Sequence, residues 1–173
     1  MRGYVHERDW SEVNALLARH FNTGDIPMKT GFAHIREGFE TEPCQGWAAV
    51  VAEHPKQGIV GFVCATANGN ILRAMMPELG EVPEKSLYLA LQCVATDYRN
   101  MGVAALMERT LVRAVCEERA IGHVFLKVLA EKLERRTQLE SFGWKGAGED
   151  ERYAYYHLTY GEYLNALKKA GVE

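Results

Sequence analysis

Residues 87–129 constrain this chain more than any other part. An apolar run, Leu87 to Val94, is followed by a short polar turn containing one glycine, Gly102. Next comes Val103 to Arg119, where Val103, Leu106, Met107, Thr110, Leu111, Ala114 and Val115 recur at helical spacing. A second apolar run, His123 to Leu129, begins soon after. Short apolar runs of this length read as buried strands, and the stretch between them as an amphipathic helix. A strand, a helix and a strand in that order predict two parallel neighbours joined by a right-handed crossover. The chain is therefore expected to be α/β, with a sheet flanked by helices.

The flanks fill in the rest. Residues 3 to 6 predict a short first strand. Asp9 and Glu12 have the spacing of a capping box, so a helix is expected from Asp9, with Trp10, Val13, Leu16, Leu17 and Phe21 on one face. A second helix is expected over residues 30–39, with Phe32, Ile35 and Phe39 on one face. Trp47 to Glu53 and Ile59 to Ala65 bracket a polar turn and read as an antiparallel hairpin. Residues 67–86 contain Gly69, Pro77, Gly80 and Pro83 and read as a long irregular loop or insertion. After the second parallel strand come a helix at about 131–141, an aromatic strand at 152–160 and a short amphipathic helix at about 161–171. The whole is expected to be one domain of 173 residues, a size that buries roughly 70% of its unfolded surface.

The junction at 94–104 carries the chemistry. A strand, a tight turn with an arginine and a glycine, then a helix N-terminus suit a phosphate group. The turn's amides point outward, and the helix dipole favours negative charge. Arg99-x-x-Gly102-x-Ala104 closely resembles the pyrophosphate loop of the GNAT acetyltransferase superfamily, whose pattern is Gln/Arg-x-x-Gly-x-Gly/Ala. Val94 stands where that family ends its strand with an apolar residue. Phe142-Gly143-Trp144 resembles the family's Gly-Phe near the end of its next helix. Thr96 departs from a common proline.

That resemblance implies a mixed central sheet whose two parallel strands splay, with the pantetheine arm of acetyl-coenzyme A lying between them. It implies that Val94 and Thr96 bond pantetheine amides through their backbone. Arg99, Asn100, Met101, Gly102, Val103 and Ala104 would surround the pyrophosphate. The implied reaction is direct acetyl transfer to the primary amine of a small molecule or a protein. The family's usual catalytic groups are missing: Leu139 stands in place of a tyrosine, Lys132 of an asparagine and Tyr88 of a glutamate. Tyr88 is the candidate for handling a proton, with Gln92 beside it on one strand face; Glu53, His54, Tyr155, Tyr156 and His157 are further candidates. The same absences support an alternative, a catalytically inactive GNAT-fold protein that binds acyl-coenzyme A as a sensor or binds a protein partner.

Composition excludes other classes. The net charge of −3 gives no electrostatic footprint for nucleic acid. No apolar run approaches the ~20 residues of a membrane helix. The N-terminus has no apolar segment of a secretory signal, and a cytoplasmic location is expected. Cys44, Cys64, Cys93 and Cys116 make no Cys-x-x-Cys pair, and no metal site is expected. Neither a Gly-x-x-x-x-Gly-Lys nor a Gly-x-Gly-x-x-Gly nucleotide motif is present. The tyrosine-rich last strand and the C-terminal helix leave a homodimer open.

Overall fold

The computed structural model describes residues 1–21 and 46–171. The helix expected over 30–39 and Cys44 lie outside the described residues. Among the described residues seven strands, β1 (Arg2–Gly3), β2 (Trp47–His54), β3 (Gly58–Thr66), β4 (Ser86–Val94), β5 (His123–Leu129), β6 (Lys145–Glu149) and β7 (Tyr153–Thr159), form one mixed sheet in the order β1-β2-β3-β4-β5-β7-β6. The described residues fall into two compact units, one drawn from 1–65 and 91–113, the other from 66–90 and 114–173.

The first unit holds β1 (Arg2–Gly3), α1 (His6–Phe21), β2 (Trp47–His54), β3 (Gly58–Thr66, nearly all of it) and the end of β4 (Ser86–Val94). It also holds the first turns of the helix Val103–Arg119, which follows the phosphate-loop pattern. β2 and β3 are sheet neighbours joined by three residues, a link short enough only for an antiparallel return. Helix α1 starts at His6, earlier than expected, and the capping box at Asp9 and Glu12 does not form. Asp9 instead accepts from the Val5 amide at 2.8 Å and from Arg2 and Arg8. Glu12 is taken by a strand amide, Ile59 N–H, at 2.8 Å. A tertiary contact thus outcompetes the local cap. At Gly61 an added Cβ would lie 2.8 Å from the Met107 methyl, so a side chain there would push the tip of Met107 aside.

The second unit begins with a correction. Within the expected irregular loop of 67–86 there is a helix, α2 (Gly69–Met75), and a 3₁₀ turn, Pro77–Leu79. Asn68 caps α2, its side chain accepting from the Asn70 amide at 3.0 Å. Leu72 and Met76, one turn apart, are buried with Val82, Tyr88, Phe125 and Tyr155. The glycines and prolines hid a helix that exists because it packs.

The remaining elements are α3 (Val103–Arg119), β5 (His123–Leu129), α4 (Leu133–Phe142), β6 (Lys145–Glu149), β7 (Tyr153–Thr159) and α5 (Tyr160–Lys169). β4 and β5 are parallel, as the sequence predicts, paired from Ser86↔His123 to Leu89↔Leu126. β5 and β7 pair antiparallel over their full lengths. α4 ends on Gly143 at φ 111°, where the amides of Gly143 and Trp144 both return to the Leu139 carbonyl. β6, Lys-Gly-Ala-Gly-Glu, has no strand signal of its own; β7 imposes the ladder, with an irregularity at Gly146/Gly148. The capping box of this chain is at α5, between Thr159 and Glu162.

Candidate cofactor-binding turn

The turn between β4 and α3 lies within the first unit. Ala95 gives its N–H to the Val60 carbonyl at 2.8 Å. Backbone groups alternate in direction along a strand, so the N–H and C=O of Val94 point to the edge away from β3. The chain then makes a single 3₁₀ turn, Thr96–Tyr98, closed by the Arg99 amide on the Thr96 carbonyl at 3.2 Å.

Two residues in the left-handed region then redirect it, Asn100 at φ 61° and Gly102 at φ 76°. Asparagine tolerates that region and glycine adopts it at no steric cost. Helix α3 starts at Val103, and its first closing bond runs from the Leu106 amide to the Gly102 carbonyl at 3.0 Å. Among the described residues, the six amides from Asn100 to Ala105 make no backbone hydrogen bond. Four of them, Gly102 to Ala105, are the orphan donors of a helix start; the other two continue them into the turn. A Cβ added at Gly102 would meet nothing within 4 Å, and Met101 is 68% exposed. The space beside Gly102 is therefore open, at the positive end of a 17-residue helix.

Side chains fix the turn. Arg99 donates through Nε to the Val94 carbonyl at 3.2 Å, and its Nη2 lies 2.9 Å from His20 Nδ1. A guanidinium only donates, so His20 Nδ1 accepts and its proton sits on Nε2. Burial, then the charges of Arg99 and Arg19, push the His20 pKa down and keep the ring neutral. Tyr98 donates to Gln57 Oε1 at 2.8 Å. Gln92 donates to the Ala104 carbonyl at 2.9 Å, tying the strand end to the first turn of α3. That bond engages the amide that the sequence offered for orienting an amine. His20, Gln57 and Gln92 as supports of the turn were not legible in the sequence, because each acts through a contact distant along the chain.

Tyr88 is 2% exposed, in the apolar cluster of the second unit. Leu139, which stands where the family pattern has its tyrosine, is a buried anchor of α4. Glu53 pairs with Arg2 at 2.6 Å, and the His54 ring lies 5.6 Å from that of Tyr98. Tyr155 donates to Asp150 and Tyr156 donates to Glu140 at 3.0 Å. Both tyrosines are buried within the chain itself, which removes an exposed tyrosine strand as the ground for a dimer. Cys64, Cys93 and Cys116 are buried thiols; burial pushes Cys93 up to about 11 and Cys116 up to about 12. Among the described residues no cluster of three or more His, Cys, Asp or Glu is placed to hold a metal, and no helix is long and apolar enough to cross a membrane.

No family model matches the sequence, and no curated protein matches it. The structure has many neighbours among solved proteins. FdhC, a nucleotide-linked sugar GNAT, superposes with a TM-score of 0.68 at 15% identity, over 97% of this chain and 90% of that one. The spermidine/spermine N-acetyltransferase SpeG from Vibrio cholerae, in mutant forms, gives 0.64 at 14% identity, over 95% of each chain. A Bacillus anthracis protein solved in complex with acetyl coenzyme A gives 0.51 at 16% identity, over 66% of this chain and 63% of that one. The mixed seven-stranded sheet with its flanking helices is the GNAT fold.

Proposed function

We propose that this chain belongs to the GNAT superfamily and is an acyl-coenzyme A-dependent N-acetyltransferase. The observation that carries the reading is the run of six amides, Asn100 to Ala105, unclaimed among the described residues at the start of α3, with open space beside Gly102. A pyrophosphate supplies the acceptors these donors lack. In this reading the amides of residues 100–104 and the Arg99 guanidinium hold the pyrophosphate. Val94 and Thr96 supply backbone groups to the pantetheine arm. β4 suits that role, since its ladder with β5 ends at Leu89 while the strand runs on to Val94. The Val94 carbonyl, which accepts from Arg99 Nε, would be open to a pantetheine amide if the Arg99 guanidinium turned to a phosphate.

The chemistry is direct transfer. A neutral amine nitrogen attacks the thioester carbonyl carbon. The C–N bond forms, the C–S bond breaks, the nitrogen loses a proton, and the departing thiolate gains one. Holding the two reactants together supplies much of the acceleration. A proton-handling group adds ~10²–10⁴-fold; we assign that role to Tyr88.

A second reading is a GNAT-fold protein that binds acyl-coenzyme A without transferring the acyl group. The burial of Tyr88 and the buried Leu139 in place of a tyrosine favour it. Calorimetric titration with acetyl-coenzyme A, followed by an amine screen, separates the two. Binding with turnover supports the transferase, and binding without turnover supports the sensor. Absence of binding by the folded protein refutes both.

A further inference from the structure

Two side chains that meet at the end of α1 cannot both carry charge and keep their bond. His20 stands in the last turn of α1, half-buried, in the same compact unit as the turn between β4 and α3. Its Nδ1 accepts from Arg99 Nη2 at 2.9 Å, while Arg99 Nε donates to the Val94 carbonyl at 3.2 Å. Two acceptors of the chain itself thus engage the guanidinium. A proton added to Nδ1 would remove the lone pair that accepts this bond and set an imidazolium against a guanidinium.

Three influences oppose that proton: burial first, then Arg99, then Arg19. Arg99 comes from the turn and Arg19 is the neighbour of His20 on α1; among the described residues these are the charged groups that act on the ring. The carbonyl end of α1 works the other way and favours a cation. Burial comes with the fold, and Arg19 is attached to the same helix. Of the three, only Arg99 is drawn away by the proposed pyrophosphate. When its guanidinium turns to a phosphate, Nδ1 loses its donor and the cation that opposed the proton is neutralised.

We propose that phosphate binding at this turn is coupled to proton uptake by His20, so that acid strengthens the hold on the cofactor. The proposal rests on the reading of Arg99 as a phosphate ligand. The proton passes from solvent to Nδ1 while Nε2 keeps its own, and no covalent bond other than that N–H is made or broken. Linkage makes the effect reciprocal: if bound phosphate favours the proton, the proton favours phosphate by the same factor.

The test is calorimetric titration of the intact protein with dephospho-coenzyme A across about pH 8 to 5.5, the range that brackets histidine titration. This probe keeps the pyrophosphate diester but lacks the phosphate monoester of coenzyme A, which would itself titrate in that range. Affinity should rise about three- to ten-fold on acidification, since a pKa moved by one unit corresponds to ten-fold in binding. In His20→Gln the side chain can still accept from Arg99 but takes no proton, and the affinity should stay level with pH. Proton NMR of the unmodified protein gives a second readout. The His20 ring resonance, identified by its loss in the variant, should titrate at a higher pH when the probe is saturating. The proposal is overturned if the affinity does not rise, if His20→Gln keeps the rise, or if saturation leaves the His20 titration unmoved. Binding without pH dependence overturns the proposal alone and leaves the assignment of the turn standing. Absence of binding by the folded protein at every pH refutes that assignment, and the proposal with it.

Discussion

Replacing Gly102 tests the phosphate-binding turn, because its effects on fold and on ligand separate cleanly. At φ 76° any L-residue is strained, by about 1–2 kcal/mol. A new Cβ would meet nothing within 4 Å, so no clash adds to that cost. For a chain of this size 1 kcal/mol lowers Tm by about 2–4 °C, so Gly102→Glu should unfold about 2–8 °C lower and remain folded at 25 °C. The same open space is where the proposed pyrophosphate sits. A glutamate there fills it and sets like charge against the phosphates. Losing even one charged hydrogen bond costs about 1.5–3 kcal/mol, so acetyl-coenzyme A affinity should fall at least ten- to hundred-fold. Thermal shift gives a second readout. At a ligand concentration about 100 times Kd, binding stabilises the native state by about 2.7 kcal/mol. That raises Tm of the unmodified protein by about 5–11 °C, a rise the variant should lack. Equal affinity in both proteins, with both folded, would refute the assignment of the turn.

Three other predictions follow from particular residues. Tyr88→Phe should lower kcat by ~10²-fold or more with acetyl-coenzyme A affinity unchanged; steady-state kinetics showing equal turnover removes Tyr88 from the mechanism. Asp9→Ala should cost about 3 kcal/mol in urea unfolding, since Asp9 is buried and accepts from Arg2, Arg8 and the Val5 amide. Burial raises the Asp9 pKa, but those bonds outweigh it and hold the carboxyl well below its ordinary 3.8. Its stabilisation is therefore present above pH 4 and lost as the pH falls through the acid range, a loss the variant should not show. His157 lies 3.0 Å from His123, and burial, then His123, depress its pKa from the ordinary 6.5, with Lys145 lowering it and Glu162 raising it. The unfolded chain thus binds the proton first, so stability should fall as the pH drops below about 6.5. His157→Gln should flatten that slope, and an unchanged slope would exclude His157 as its source.

The elements with strong local patterns were legible in the sequence. Helix α3 and strand β5 occupy the residues their periodicity marks, Val103–Arg119 and His123–Leu129, because an amphipathic stripe and a short apolar run are set by neighbouring residues alone. The turn between β4 and α3 was legible for the same reason: Asn100 and Gly102 are residue types that take the left-handed region at little cost, just before a helix. Tertiary structure decided the rest. Whether Glu12 caps its own helix or takes the Ile59 amide depends on where β3 lies. Strand β6 exists because β7 offers it a ladder, and α2 because Leu72 and Met76 find a cluster to enter. Burial turned Tyr155 and Tyr156 from surface candidates into core. The environment of Arg99 has the same origin: folding brings it a ring nitrogen from residue 20. A side chain's charge is written in the sequence; what surrounds that charge is decided by three-dimensional packing.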